Sequence, residues 1–156
     1  MQPLRALPVA AVLLLAGCAS SPSATNGSGG GAPAAAVAGS GSTRLVATLM
    51  GGSVSGSVQL TPGARTGQTR AQVTIRNGPP NAELGWQIRQ GQCGERGPEL
   101  GTQVAYRAIT TRGDGSGELT VTLPFSVPTG NAYHVNILRS RTSDALVVCG
   151  GLSEAS

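Results

Sequence analysis

From residue 44 to residue 149 the chain breaks into about eight short segments in which apolar and polar residues alternate, each bounded by Gly, Pro, Asn or Asp. In Arg70–Arg76, Ala71, Val73 and Ile75 would share one face, and Arg70, Gln72, Thr74 and Arg76 the other. Leu119, Val121 and Leu123 oppose Glu118, Thr120 and Thr122 in the same way, and Trp86 with Ile88 oppose Gln87 with Arg89. The other segments are Arg44–Leu49, Val54–Leu60, Gln103–Thr110, Tyr133–Arg139 and Ala145–Cys149, with Gly85–Gln90 and Gly117–Leu123 holding the residues just named. None has sustained helical spacing, so the expected class is all-β, a sandwich or barrel of about eight strands. Aromatic residues are 3% of the chain and glycines number 24. The core must therefore be aliphatic, with many turns around it.

The first residues belong to a different kind of segment. Arg5 precedes the apolar run Ala6–Leu15, followed by the small residues Ala16 and Gly17. This has the layout of a secretory leader. At about ten residues, roughly 15 Å as a helix, the run is too short to span a hydrocarbon core about 30 Å thick. Its end, Leu15-Ala16-Gly17-Cys18, resembles the lipobox of bacterial lipoprotein precursors. The resemblance implies that Cys18 takes a diacylglycerol and, once the leader is cut, a further acyl chain such as palmitate. Two or three acyl chains hold a protein on a bilayer where one does not. Ala19 stands where retention signals for the inner membrane usually place Asp, so the implied address is the periplasmic side of the outer membrane.

Residues 19–42 carry no charge and few large apolar groups. They cannot bury enough surface to offset the entropy of ordering, and as a Gly-rich coil they would reach about 25–30 Å. The expected organisation is a signal peptide over 1–17, a lipidated cysteine and disordered Gly/Ser/Ala linker over 18–42, a β-sandwich over 43–152 and a short tail over 153–156.

The domain's charge is mildly basic: residues 44–152 hold ten Arg against six acids, and the chain has no Lys. The arginines are scattered and do not interleave with aromatics, which argues against nucleic acid as a partner. With Cys18 given to lipid, Cys93 and Cys149 remain as an even pair in an exported domain, and a structural disulfide is expected. Closing a loop of nearly sixty residues would contribute about 4 kcal/mol by the chain-entropy model. The chain lacks a Cys-x-x-Cys, a Gly-x-Ser-x-Gly and a phosphate loop. Gly113-Asp-Gly-Ser-Gly117 lacks the ligand spacing of a calcium loop and reads as a turn.

The segment Gly78–Gly94, with Gly85-Trp-Gln-Ile-Arg89 and Cys93, resembles the Gly-aromatic-His-x-His strand and following cysteine of the copper/zinc superoxide dismutase family. Ala145-Leu-Val-Val-Cys149-Gly-Gly-Leu resembles that family's last strand. The resemblance implies a Greek-key sandwich with Cys93 joined to Cys149. It also marks a degenerate metal site, because Gln87 and Arg89 stand at the two strand-histidine positions. A guanidinium stays protonated and has no lone pair for copper. In the region Glu95–Gly117, where the family keeps its zinc ligands, only Glu95, Glu99 and Asp114 could serve, and no His occurs. Asn136 or Leu138 falls near another copper-ligand position. His134, the chain's single His, is expected to be a half-buried strand residue with a satisfied hydrogen bond. The segment Tyr133–Leu138 also resembles the final strand of chordin-type domains.

The resulting expectation is an envelope lipoprotein, held to the membrane by its lipid anchor. Its sandwich carries no catalytic residues, no metal and no cofactor, and serves as a binding or structural module for an envelope component of unknown identity. Arg70, Arg76 and Arg89 on outward faces are candidates to meet an anionic component. The alternative is a residual metal-binding protein or superoxide dismutase.

Overall fold

The computed structural model describes residues 43–155. The leader, Cys18 and the 18–42 linker lie outside the described residues, as does Ser156. The alternation of the sequence becomes nine strands: β1 (Leu45–Gly51), β2 (Val54–Pro62), β3 (Thr69–Arg76), β4 (Glu83–Gln90), β5 (Ile109–Thr110), β6 (Gly117–Leu123), β7 (Tyr133–Leu138), β8 (Leu146–Gly151) and β9 (Ser153–Glu154). They form two antiparallel sheets, one in the order β6-β3-β2-β1-β9 and the other β5-β4-β7-β8. No helix among the described residues is long and apolar enough to cross a membrane.

The connections make a Greek key. β4 pairs with β5, β5 meets β6 through the Thr111–Gly117 bridge, and β7 returns to lie beside β4. At the opposite seam β8 lies against β1 without pairing. Gly150 permits this approach, because a Cβ there would run into the Thr48 carbonyl oxygen. At the tip after β3, Asn77 takes the left-handed conformation (φ 54°), which Asn tolerates better than most residues.

The inward residues of both sheets meet as one core. Leu49, Val58, Leu60, Val73 and Ile75 of the larger sheet face Leu84, Ile88, Val135, Ile137 and Val148 of the smaller one. Burying each such side chain stabilises the fold by about 1.5–3 kcal/mol. Trp86 and Tyr106 pack edge-to-face with ring centroids 4.9 Å apart. Both polar tips are satisfied: Trp86 Nε1 donates to the Arg107 carbonyl at 2.9 Å, and the Tyr106 hydroxyl donates to the Leu100 carbonyl.

One expectation needs correction. Gln103–Thr110 is not a strand: Gln103–Ala105 forms a 3₁₀ turn, and only Ile109–Thr110 pairs with β4. Alternation would put Val104 and Tyr106 on one face, but the turn leaves Val104 81% exposed and sends Tyr106, 2% exposed, into the core. The short tail after Leu152 begins with a strand of two residues. Ser153 and Glu154 pair with Val46 and Leu45, adding β9 to the edge of the larger sheet.

Candidate functional site: a covered sheet face

Strand register assembles two rows of side chains on the outer face of the smaller sheet. Gln87 lies beside Asn136, which lies beside Cys149; Arg89 lies beside His134, which lies beside Gly151. In an ordinary sandwich such a face is solvated. Here the chain after β4 folds back across it.

Local chemistry explains the fold-back. Gly91 and Gly94 take positive φ values of 95° and 93°, which glycine adopts without strain. The Gln92 N–H donates to Glu95 Oε2 at 2.7 Å, and the Glu95 N–H to the Gln92 carbonyl at 3.0 Å, so Glu95 closes its own loop. The returning leg then runs along the free edge of β4: the Gln90 N–H donates to the Pro98 carbonyl at 3.0 Å, and the Leu100 N–H to the Ile88 carbonyl at 2.9 Å. Cys93 and Cys149 tie the loop to β8, with sulfurs 2.03 Å and Cα atoms 5.9 Å apart. The expected cysteine pairing is therefore present, and Glu99 becomes the cross-strand neighbour of Arg89.

Beneath the loop the side chains interlock. Arg89 donates from Nη1 to the Gly97 carbonyl at 3.0 Å and from Nε to the Gln87 amide oxygen at 2.8 Å. The Gln87 amide nitrogen in turn donates to Glu99 Oε2 at 3.2 Å, an orientation assigned from these partners. His134 departs from the half-buried residue expected: the covering loop leaves it no exposed surface. Its Nδ1 lies 2.9 Å from the Gly91 carbonyl oxygen, which can only accept, so Nδ1 carries a proton. Nε2 has no partner, so the expected satisfaction holds for one ring nitrogen and fails for the other.

A cleft of about 350 Å³ opens between this face and the loop. Gln87, Arg89 and Asn136 contribute from the strands, Glu95 and Arg96 from the loop, and Asp144 and Leu146 from the β7–β8 connection and the start of β8. Asn136 Oδ1 and Glu99 Oε1 are buried without a hydrogen-bond partner. A larger cleft of about 590 Å³ lies between the β2–β3 hairpin and residues 126–129, but Arg65 is its only charged lining residue. The chemistry is concentrated on the smaller sheet.

The residues present do not fit a copper or zinc ion. Copper in such a site needs several imidazole lone pairs. Gln87 offers an amide oxygen already occupied by Arg89, and Arg89 offers only N–H donors. Among the described residues no group of three or more His, Cys, Asp or Glu could hold a metal ion. Asp114 is committed to its own turn, accepting from the Ser116 N–H at 2.9 Å and hydroxyl at 2.7 Å. Those hydrogen bonds hold its carboxyl below the usual carboxylate range.

The three outward arginines are not one patch. Arg70 and Arg76 stand exposed on β3 in the larger sheet, while Arg89 sits half-buried in the other. Arg96 and Asp144 join the cleft without having been singled out in the sequence. The glycines around Cys93 mark a loop there, but nothing local states which face the loop covers. No protein-family model matches the chain, and no curated protein matches it.

Proposed function

We propose that this chain is a lipid-anchored envelope protein whose superoxide dismutase-like sandwich works by binding rather than by catalysis, at the cleft on the outer face of the smaller sheet. One observation carries the reading: the Gln87–Arg89–Glu99 chain of hydrogen bonds, closed onto Gly97, occupies the two positions that the family resemblance assigns to metal ligands. A permanently charged guanidinium built into that face opposes a metal cation and suits a polar ligand instead. The cleft favours binding over a purely structural role, since it gathers charged groups of both signs around fixed hydrogen-bond donors. The leader, the Cys18 motif and Ala19 support placement on the periplasmic side of the outer membrane.

The test uses the full chain purified from membranes without chelator. Copper and zinc are expected below about a tenth of an equivalent, with no superoxide consumption above the uncatalysed rate; stoichiometric metal with enzymatic turnover would overturn the reading. Labelled palmitate is expected on wild type and absent from Cys18→Ala; label retained in that variant would remove the anchor from the proposal.

A further inference from the structure

We propose that the cleft takes a small zwitterion, a free amino acid, with its carboxylate on Arg89 and its ammonium group received by the acceptors around Asn136. The inference rests on the cleft being a binding site and adds the chemical class of ligand. Arg89 is held on two sides, by Gly97 and by Gln87, which leaves Nη2 without a protein partner. A guanidinium anchored this way presents donors to a carboxylate with little further loss of side-chain freedom.

The rest of the site asks for the opposite group. Asn136 Oδ1 is an acceptor without a donor, and Glu95 and Asp144 add carboxylates to the lining. A buried acceptor left unmade is costly, so a ligand that brings N–H groups gains more here than in water. A simple anion would meet the carboxylates of Glu95 and Asp144, and a simple cation would meet Arg89 and Arg96. A zwitterion satisfies both signs. No aromatic side chain lines the cleft, which removes the usual stacking platform for a sugar ring. Leu138 and Leu146 supply an apolar wall suited to a short side chain.

Calorimetric titration of the detergent-solubilised full chain, with alanine, acetate and methylammonium as separate probes, tests the proposal. Alanine is expected to bind saturably with a Kd near or below about 1 mM, and each half-ligand at least about tenfold more weakly. Arg89→Gln is expected to weaken alanine at least about tenfold without weakening methylammonium. Because Arg89 also holds the loop, Asp144→Asn serves as a second variant at an exposed position, with a smaller loss for alanine and none for acetate.

Absence of alanine binding, or equal affinity for acetate and alanine, overturns the zwitterion. If another small polar molecule then binds at the cleft, the binding-module reading stands without it. Stoichiometric metal on Gln87 or His134 would instead defeat that earlier reading.

Discussion

The outer faces of the two sheets are built from the same alternating pattern and end in opposite environments. On the larger sheet, Thr48, Ser57, Arg70, Gln72, Arg76, Thr120 and Thr122 stand in solvent. On the smaller sheet, the equivalent outward positions hold a fully buried His134, and Gln87, Arg89 and Asn136 only partly exposed. The difference comes from one loop, residues 91–99, which returns along the edge of β4 and is tied to β8. Outward on a strand therefore means away from the core, and whether it also means wet depends on what crosses that face. The contrast locates chemistry as well: the bare face spreads its polar groups, while the covered one fixes an arginine and leaves buried acceptors unpaired.

The most severe way to break this contrast is to cut the tie. Replacing Cys93 and Cys149 by Ala is expected to cost about 4 kcal/mol in urea unfolding, given the 56-residue separation, and to raise hydrogen exchange over 91–99 while β2 and β3 stay protected. Uniform loss of protection across both sheets would show that the loop is not a separate layer.

Arg89→Ala removes two donors from the covered face and is expected to cost about 1–3 kcal/mol. Arg70→Ala, on the bare face, should stay within about 0.5 kcal/mol. Equal costs in paired denaturation curves would erase the distinction.

Tyr106 sharpens the comparison from the core side, where its hydroxyl donates to the Leu100 carbonyl. Burial raises its pKa above the ordinary value, with the Glu99 charge adding to the shift and a backbone hydrogen bond opposing it. A raised acid pKa means the unfolded chain loses its proton first as pH climbs. The stabilising contribution is therefore complete below about pH 10 and falls away above it. Tyr106→Phe is expected to cost about 1 kcal/mol at neutral pH and to flatten the alkaline limb of a melting-temperature profile; an unchanged limb would place the titration elsewhere.

The smallest effect belongs to an exposed turn. Asp114 has a lowered carboxyl pKa, so its contribution is present above the unfolded-state value and disappears as pH falls through the folded-state value. Wild type and Asp114→Asn should differ slightly in melting temperature at neutral pH and converge in acid; a constant gap would remove the carboxylate from the account.

Much of the scaffold was legible because strand alternation is a local property. The inward set Ala71, Val73 and Ile75, and the opposition of Trp86 and Ile88 to Gln87 and Arg89, could be read from neighbouring residues and are found in the core and on the outer face respectively. Gln103–Thr110 misled because its alternation was real in sequence but had no continuous partner strand. Satisfying the backbone at Gln103–Ala105 by a turn let Tyr106 reach Trp86. For the site, Gln87, Arg89 and Glu99 were visible one by one, and their mutual bonding was not.

The sequence alone determined an all-β domain with a mostly aliphatic interior and two cysteines left to pair. Those outcomes follow from side-chain period, composition and count, which need no knowledge of distant segments. Only the tertiary structure decided that residues 91–99 cover one sheet face, that His134 is sealed beneath them, that Arg96 and Asp144 meet across a cleft, and that Ser153 and Glu154 extend a sheet. Each depends on contacts between residues far apart in the chain, where the free energy of closing a loop is set against burial and hydrogen bonds made only after it closes.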